Sequence, residues 1–557
     1  MQSIAFQSPL IDNKNMTQKT DPNWWRGAVI YQVYPRSYKD TNGDGVGDLK
    51  GITGKLDYIA SLGVEGIWIS PFFKSPMKDF GYDVSDYRQI DPLFGTMSDF
   101  KTLLDEAHRQ DLKIIVDMVL SHTSDQHVWF QQSKQDQTNP KADWYVWADA
   151  KPDGSPPNNW ISVFGGSAWT FDVFRGQYYL HNFLKEQPDL NYHNPDVMAA
   201  MLDECRFWLD MGVDGFRLDA VNYCTHDKEL RDNPARQTEG QATQLEFRDT
   251  YNMQDHVYDK SRPENLDFMR KIRTLTNEYE GTFIVAEIGC DDEVKTSQDY
   301  TATPDLLHTA YSFAFMGNAG EMPPAELFKD IIMTQIGENG QSWPSWAFSN
   351  HDVVRAASRW SGNTYSQHPA LSKMLIALVT TLRGTAFLYQ GEELGLPEAH
   401  IPYEKLQDPW GKYLYPKWQG RDGCRTPMPW NAQDKNAGFS DAAETWLPIP
   451  DTHLPLTVAT QEENLNSTLH FTRKFLNWRN NHAALKDGDI TFLDDLPTHI
   501  LGFTRNKGDE NILCLFNLKN TEQEIPTPSH DTILYGAADI TSDTLTLPPY
   551  GYVFLST

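Results

Sequence analysis

Two residues in the segment GVDGFRLDAV have the types and spacing of a nucleophilic site. Arg217 and Asp219 are two positions apart. Alternate residues of a β-strand point to the same face, so Arg217 can hold Asp219 ionised and oriented, as a carboxylate nucleophile requires. A structural Arg–Asp pair is an equally good interpretation of this motif alone.

A carboxyl group of a different character lies in the segment FIVAEIG. Glu287 sits within an apolar run, where desolvation would raise its pKa and keep it protonated as a general acid. A structural hydrogen-bond partner is the plainer alternative. His122 ends DMVLSH, and His351 with Asp352 ends AFSNHD, although neither pattern is informative by itself.

The elements that must position these residues follow one repeated pattern. An apolar run rich in β-branched or aromatic residues ends in polar residues and is followed by a helix-like stretch. The pattern occurs at residues 29–38, 64–73, 113–122, 213–221, 283–289, 343–352 and 384–395. Such runs are typical of parallel strands buried on both faces and joined by helices. Because barrel enzymes carry their chemistry at the C-terminal ends of the strands, the sequence predicts an α/β fold, a (β/α)8 TIM barrel.

Two other regions depart from this alternation. Residues between 122 and 197 are rich in Trp, Gly, Pro and Asn, which predicts a subdomain inserted after strand 3. Short alternating runs near the end of the chain predict a C-terminal antiparallel β domain. The predicted boundaries are 17–122 and 196–486 for the two parts of the barrel, 123–195 for the insertion and 487–557 for the C-terminal domain.

The amino-acid composition limits the classes of partner that the protein is expected to bind. The 557 residues include 76 Asp and Glu against 48 Lys and Arg, a formal charge of −28. Phosphate and anionic lipid would be repelled, which argues against nucleic acid and membrane surfaces and favours neutral molecules or cations. No apolar run is long enough for a membrane span, the opening residues lack a signal-peptide pattern, and five scattered cysteines without CxxC favour reduced thiols. We therefore expect a cytoplasmic protein, monomeric or homodimeric.

Several motifs in order now resemble one family. They are WWRGAVIYQVYPRSYKDTNGDGVGDLKGI, DFGYDVSDY, DMVLSHTS, QPDLNYHNP, GFRLDAV, VAEIG, SNHD and GRDGCRTPMPW. Together they resemble the alpha-amylase superfamily, glycoside hydrolase family 13, in its alpha-glucosidase and oligo-1,6-glucosidase branch. The resemblance implies Asp219 as nucleophile, Glu287 as acid/base and Asp352 as a third carboxylate that grips sugar hydroxyls. It also implies a terminal-glucose pocket lined by Asp79, Tyr82, His122, Arg217, His351 and Arg421.

These roles agree with the chemistry of retaining glycoside hydrolysis, which needs two carboxyl groups about 5 to 5.5 Å apart. An ion pair of Asp79 with Arg421 would close the far end of the pocket, so cleavage is expected from chain ends. The predicted substrates are maltose, short malto-oligosaccharides and related α-glucosides, with transglucosylation as a further outcome. No organic cofactor is expected.

One acidic loop predicts a structural cation. The segment DTNGDGVGD spaces oxygen ligands every second residue, as calcium loops do, but lacks the Glu that ends an EF-hand. In the resembling branch such a loop holds Ca²⁺ or Mg²⁺ away from the catalysis, which implies as ligands Asp40, Asn42, Asp44, the carbonyl of Val46, and Asp48. An acidic glycine-rich turn without metal is the alternative.

Departures from the family pattern bear on specificity. Ser121 stands where many relatives have a calcium-binding Asn, so no second metal site is expected. Ala220 follows the nucleophile, where the resemblance associates Val with α-1,6 cleavage and Ala or Thr with α-1,4 preference. We therefore expect α-1,4 preference. The alternatives are an oligo-1,6-glucosidase, a sucrose- or trehalose-acting hydrolase or glucosyltransferase, and, more remotely, a non-catalytic transporter-associated relative.

Overall fold

The computed structural model describes residues 21–236, 250–289, 292–317, 320, 322–337, 340, 342–362 and 368–557. Its strands are β1 (Val29–Val33), β2 (Gly66–Ile69), β3 (Phe73–Lys74), β4 (Asp86–Ile90), β5 (Lys113–Val119), β6 (Trp147–Ala148), β7 (Trp169–Asp172), β8 (Gln177–Leu180), β9 (Gly215–Asp219), β10 (Phe283–Glu287), β11 (Thr309–Tyr311), β12 (Ser345–Ala347), β13 (Thr385–Tyr389), β14 (Asp489–Phe492), β15 (Ile500–Lys507), β16 (Glu510–Asn517), β17 (Gln523–Pro526), β18 (Thr532–Gly536), β19 (Asp539–Ile540), β20 (Thr544–Leu547) and β21 (Tyr552–Ser556).

The helices alternate with the barrel strands along the chain, and several more follow the last barrel strand. The α-helices are α1 (Leu49–Thr53), α2 (Leu56–Ser61), α3 (Met97–Arg109), α4 (Val128–Ser133), α5 (Pro195–Met211), α6 (Asn265–Thr276), α7 (Glu293–Thr301), α8 (Ala325–Ile336), α9 (Ala356–Arg359), α10 (Pro369–Thr381), α11 (Pro409–Leu414), α12 (Val458–Glu462), α13 (Thr468–Asn480) and α14 (Ala483–Asp487). Short 3-10 turns lie at Pro35–Ser37, Val221–Tyr223, Tyr251–Met253, Glu392–Leu394, Tyr403–Lys405, Asp422–Cys424, Lys435–Gly438 and Asp451–Leu456.

A closed parallel barrel forms the centre of the molecule, in the strand order β1-β13-β12-β11-β10-β9-β5-β2. Each of the seven predicted segments contains one barrel strand, so the predicted TIM barrel is confirmed. The eighth strand, β11, is missing from the prediction. Its length is not the reason, because β12 is equally short and was predicted.

The barrel interior is a packed core, as the continuous apolarity of its strands requires. The buried side chains of one cluster fill it, including Ile30, Trp68, Ile115, Val285, Tyr311 and Phe387. Outward-facing side chains of the same strands pack against the helices in a second, larger cluster. The rigid barrel therefore fixes the positions at which its strands end.

Both predicted additions to the barrel are present. A three-stranded sheet in the order β6-β8-β7 lies between the third and fourth barrel strands. The C-terminal part contains two antiparallel sheets, β14-β15-β16-β21-β18 and β17-β20-β19. The predicted alternating runs account for the five-stranded sheet. Strands β17, β19 and β20, of four, two and four residues, lie outside the predicted runs.

Helix α5 precedes β9, the strand that carries Arg217 and Asp219. Asn194 caps its start by accepting a hydrogen bond from the backbone N–H of Asp196, and Pro195 occupies the first turn, where no donor is needed. Gly212 ends the helix with φ 101°, a left-handed conformation that favours glycine. This turn directs the chain into β9 within three residues.

Two further sequence expectations can be compared with the described part of the chain. None of its helices combines the length and apolarity needed to cross a bilayer. Its cysteines, Cys205, Cys224, Cys424 and Cys514, are all free and buried. Cys290 lies outside the described residues, as do residues 17–20 of the predicted barrel domain and residues 237–249 of the loop that follows β9.

Candidate active site

A single guanidinium lies at the centre of the candidate site. Arg217 Nη1 is 2.8 Å from Asp117 Oδ1 and 2.5 Å from Asp219 Oδ1, and Nη2 is 2.6 Å from Glu287 Oε2. Asp219 and Glu287 are the last residues of β9 and β10, which are neighbours in the barrel. Adjacent strand ends therefore bring both carboxyl groups to neighbouring nitrogens of one guanidinium.

The carboxyl groups face an accessible space while the guanidinium lies behind them. The side chains of Asp219, Glu287 and Asp352 are 10%, 13% and 25% exposed, whereas that of Arg217 is 1% exposed. The backbone N–H of Ala220 donates to Glu287 Oε2 at 3.0 Å, which fixes that oxygen from a second direction. The free edges of the carboxyl groups are thus available to a substrate.

The protonation states differ within this cluster. Burial raises the pKa of Glu287 to about 8, against the opposing effect of Arg217. Burial also raises the pKa of Asp219 to about 7, opposed by Arg217 and reinforced by the charge of Asp117. Arg217 orients Asp219, as the sequence suggested, but does not hold its pKa low, because one cation serves three carboxyl groups. At neutral pH the proton resides preferentially on Glu287.

Asp352 has the opposite electrostatic surroundings. Arg425 Nη2 lies 2.7 Å and Arg421 Nη1 3.3 Å from its Oδ1. Burial alone would raise the pKa of Asp352, but His351 together with the Arg425 and Arg421 guanidinium groups outweighs burial and holds it well below its ordinary value. Arg425 also donates to the backbone carbonyl of His351 at 2.6 Å. Asp352 is therefore a permanently ionised, oriented carboxylate.

His351 lies between Asp352 and Tyr82, and Tyr82 in turn contacts Asp117. The hydroxyl of Tyr82 lies 2.6 Å from His351 Nε2 and donates to Asp117 Oδ2 at 3.2 Å. The rings of Tyr82 and His351 stack with their centroids 5.6 Å apart. Burial lowers the pKa of His351 to about 3, so the imidazole is neutral. Its Nδ1 lies 2.7 Å from Gln32 Nε2, so both ring nitrogens have partners and the neutral ring holds Tyr82 without adding charge.

Asp79 and Arg421 form an ion pair at the other side of the site. Arg421 Nη2 is 3.0 Å from Asp79 Oδ1 and 2.8 Å from Asp408 Oδ1, and both acids are buried. Gln187 Nε2 donates to Asp79 Oδ2 at 3.3 Å. Phe164 covers the guanidinium of Arg421, with 5.5 Å between the ring centroid and Cζ. This wall is charged, dehydrated and fixed by several partners.

His122 completes the set of predicted pocket residues. Its Nε2 lies 3.0 Å from the backbone carbonyl of Tyr82, and its ring packs against Phe183 at 5.2 Å. Burial lowers the pKa of His122 to about 4, so this imidazole is also neutral. All the catalytic and substrate-binding residues predicted from the sequence thus lie in one connected network at the C-terminal end of the barrel.

Sequence reasoning did not assign Asp117, Gln187, Asp408 or Arg425 to the site. Arg425 could have been found, because it lies four residues after Arg421 in the same motif. Asp117 falls within the predicted strand segment 113–122 but was assigned no role from the sequence. Gln187 begins the motif QPDLNYHNP but was given no role, and Asp408 lies outside the quoted motifs. Only the folded chain brings these two side chains to Arg421 and Asp79.

The predicted cation loop lies away from these carboxylates and binds its own backbone. Asp40 Oδ1 accepts from the N–H groups of Asn42 and Gly43, and its Oδ2 accepts from that of Gly45. Asp48 caps α1 by accepting from Gly51 N at 2.7 Å. Across the described ranges, no three His, Cys, Asp or Glu side chains are grouped so as to hold a metal ion. The loop is therefore not a preformed cation site in this arrangement.

A barrel that carries two carboxyl groups on a shared guanidinium at the ends of adjacent strands has the arrangement of a retaining glycoside hydrolase site. The chain belongs to the Alpha-amylase family, because residues 32–488 match the family's catalytic domain, described as "Alpha amylase, catalytic domain". It is a glycoside hydrolase, as the sequence motifs predicted.

Relatives and solved structures support this membership over nearly the full chain. The chain is 51% identical to "Probable alpha-glucosidase" of Rhizobium meliloti (strain 1021), over 91% of this chain and 92% of that protein. It is 35% identical to "Oligo-1,6-glucosidase" of Parageobacillus thermoglucosidasius, over 93% and 94% of the two chains. The crystal structure of an alpha-glucosyl transfer enzyme matches with a TM-score of 0.91 at 48% identity, covering 96% of this chain and 99% of that one.

Proposed function

We propose that this protein is a retaining, exo-acting α-glucosidase that releases α-glucose from the non-reducing end of maltose, short malto-oligosaccharides and related α-glucosides. The observation that carries the proposal is the contact of Asp219 and Glu287 on Arg217, with the proton preferentially on Glu287. Two carboxyl groups that bind neighbouring nitrogens of one guanidinium lie close together, as a retaining enzyme needs, and leave little room for the intervening water of an inverting enzyme.

The reaction proceeds in two displacements. Asp219 attacks the anomeric carbon and forms a glucosyl ester, while Glu287 donates its proton to the leaving glycosidic oxygen. Glu287, now a carboxylate, accepts a proton from water as the water oxygen attacks the same carbon and releases Asp219. Asp352, ionised throughout, accepts hydrogen bonds from sugar hydroxyls, and the neutral imidazoles of His351 and His122 hold Tyr82 in place beside the pocket.

The exo mode follows from the Asp79–Arg421 pair. Both side chains are buried and are held by Asp408 and Gln187, so they end the pocket with a fixed wall. A terminal glucose can hydrogen-bond this wall through its hydroxyls, whereas a chain that continues beyond it meets a charged, packed surface. Cleavage within a long polysaccharide is therefore disfavoured.

Linkage preference is assigned through Ala220. Its backbone adopts φ 38°, and its N–H binds Glu287, so its side chain stands beside the catalytic acid. The methyl group leaves space next to the leaving sugar that a Val would fill. This supports α-1,4 preference, and the resemblance to an oligo-1,6-glucosidase keeps α-1,6 cleavage as the competing assignment.

Transglucosylation is a second candidate activity. The likeness to an alpha-glucosyl transfer enzyme at 48% identity favours it. A sugar hydroxyl would replace water in the second displacement, giving up its proton to Glu287 in the same way. Transfer is therefore expected to grow with acceptor concentration, at the expense of glucose release.

The test follows glucose release from equal concentrations of maltose, isomaltose, sucrose, trehalose and soluble starch. Asp219→Asn serves as the blank, since it keeps the shape of the side chain and removes the nucleophile. Fast turnover of maltose with slow isomaltose and starch supports the exo pocket and the α-1,4 assignment. Preference for isomaltose overturns the linkage assignment alone, and absence of activity on every glycoside overturns the proposed function.

We also propose that the Asp40–Asp48 loop binds Ca²⁺ or Mg²⁺ once its side chains exchange partners. Carboxylate, amide and carbonyl oxygens are the donors that such cations prefer, and Asp44 is exposed, with its Oδ1 bound to the N–H of Val46. Calcium added to chelator-treated protein should raise Tm, and Asp44→Ala should abolish the increase. Asp543→Ala, an exposed acid of the C-terminal sheets, is the control. An unchanged Tm would show the loop to be a metal-free turn.

A further inference from the structure

The loop that carries Asp79 and Tyr82 has an unusual backbone. It joins β3 to β4, and within it Met77 and Phe80 adopt φ angles of 61° and 53°. Residues with a Cβ rarely occupy this left-handed region and persist there only where surrounding groups hold them. The loop therefore needs an anchor, because Asp79 and Tyr82 must reach Arg421 and His351.

Asp83, a residue of the same loop, supplies that anchor. Its Oδ1 accepts hydrogen bonds from the N–H of Asp79 at 3.0 Å and from Ser75 Oγ at 2.9 Å. Its Oδ2 accepts from the N–H of Lys78 at 2.9 Å. Asp83 is completely buried. Three donors converge on two carboxylate oxygens, an arrangement that Asn cannot reproduce because it offers a single acceptor oxygen.

The opposite side of the loop is fixed by Phe80. Its ring lies 5.1 Å from the guanidinium carbon of Arg36 and 5.6 Å from that of Arg425. Arg425 in turn binds Asp352. The loop is thus held between a buried carboxylate and two arginines, one of which belongs to the site. Asp83 itself is not among the partners of Arg217, Arg421 or Arg425.

We propose that Asp83 is a positioning residue for substrate binding. It fixes the backbone at Asp79 so that the Asp79 carboxylate meets Arg421 and the terminal glucose. This inference rests on the proposed α-glucosidase function. Since the Asp79–Arg421 wall would contact the glucose before and during the reaction, a displaced wall weakens both states alike and raises KM more than it lowers kcat.

Asp83→Asn is the direct test. It removes one acceptor and places an NH₂ group against a backbone N–H. We expect KM for maltose to rise about tenfold, the size of one lost charge-assisted hydrogen bond, while kcat changes less than about threefold. Ki for the product glucose, which occupies the same pocket, should rise in parallel. Ser75→Ala removes the hydroxyl that donates to Asp83 and accepts from the N–H of Met77; it should give a shift in the same direction and covers the case that Asp83→Asn does not fold.

A double-variant cycle separates positioning from general damage. If Asp83 acts through Asp79, then Asp83→Asn should add less than about twofold to the KM of Asp79→Asn. Asp214→Asn is the matched control, because Asp214 also accepts a backbone N–H, from Ile114 at 2.9 Å, but lies at the N-terminal end of β9. It should lower Tm without changing KM.

The outcomes are distinguishable from those of the proposed function. A wild-type enzyme that hydrolyses no α-glucoside overturns both. An active wild type whose KM and glucose Ki are unchanged in Asp83→Asn and Ser75→Ala overturns the inference alone. So does a cycle in which the effects of Asp79→Asn and Asp83→Asn multiply fully, since two independent effects would mean that Asp83 does not act through Asp79.

Discussion

The carboxyl groups around Arg217 differ in their pKa values and therefore in their roles. It contacts Asp117, Asp219 and Glu287, yet one positive charge cannot keep three buried acids ionised. The pKa values of about 7 for Asp219 and about 8 for Glu287 leave the proton on Glu287 near neutrality. Environment, rather than residue type, thus separates the acid from the nucleophile.

The pH dependence of kcat/KM follows from this order. The rate should fall on the alkaline side as Glu287 loses its proton and on the acid side as Asp219 gains one, which gives a bell with its maximum between about pH 7 and 8. Asp117→Asn removes a negative neighbour and so lowers the pKa of Asp219. The acid limb should then move to lower pH while the alkaline limb moves less. Equal acid limbs in the two profiles, measured with maltose, would contradict this assignment.

Ala220 offers a test of specificity at a single side chain. Ala220→Val should lower kcat/KM for maltose by more than for isomaltose, because the added methyl groups fill the space beside the leaving sugar. A β-branched residue at φ 38° is strained, so a loss on both substrates is also expected. The ratio of the two kcat/KM values isolates the specificity effect. A ratio equal to that of the wild type would show that Ala220 does not determine linkage.

The turn between α5 and β9 positions the nucleophile at the level of elements. Gly212 closes α5 in the left-handed region, and a Cβ there would meet only Leu104 Cδ2 at 3.8 Å, an ordinary contact. Its requirement for glycine is therefore one of backbone conformation and not of space.

Gly212→Ala should destabilise the fold by about 1–2 kcal/mol, the cost of a left-handed alanine. Gly54→Ala is the control, because Gly54 ends α1 with φ −69°, which any residue can adopt. Its effect should stay within about 0.5 kcal/mol. Urea unfolding of both variants measures the difference, and equal midpoints would contradict the argument. Maltose kcat should remain near the wild-type value in both.

Elements were predictable where their pattern was long. The barrel strands other than β11 lie within long apolar runs, even β12, which is three residues long. Strands β11 and β19, of three and two residues, lie outside the predicted segments. Pairing with neighbouring strands, which is absent from local sequence, defines them.

At the scale of the molecule, a buried arginine joins the C-terminal sheet to the barrel. Arg505 of β15 is completely buried and donates to backbone carbonyls of Thr381, Leu485, Lys486 and Gly488. These carbonyls belong to the ends of α10 and α14 or directly follow α14. A guanidinium is suited to this place because its five N–H donors can satisfy several helix-end carbonyls together.

Arg505→Met should therefore destabilise the protein by at least about 3 kcal/mol, since it leaves several carbonyls buried without donors. Arg270→Ala provides the comparison, because Arg270 pairs with Asp267 and Asp305 at the surface and is 45% exposed. Its cost should be below about 1 kcal/mol. Calorimetry that found similar Tm values for both variants would contradict the proposed docking role.

The site residues that lie in recognisable motifs were predictable from the sequence, whereas the residues that hold them in place were not. Asp219 and Glu287 lie at the ends of apolar runs, and the family resemblance implied the roles of Asp219, Glu287 and Asp352 and added Asp79 and Arg421. Asp408 lies outside the quoted motifs, and Gln187 is 108 residues from Asp79 in the sequence. Long-range contacts of this kind depend on the whole fold, so a sequence read segment by segment does not contain them.

The central claim is that Asp219 and Glu287 act by double displacement on a terminal α-glucoside. Proton NMR of maltose hydrolysis, followed from the first minutes before mutarotation equilibrates the anomers, tests it directly. The reducing-end glucose is accounted for by its starting anomer ratio, and Asp219→Asn provides the blank. The account predicts that the newly released terminal glucose appears first as the α anomer. Initial release as the β anomer, or equal release by Asp219→Asn, would contradict it.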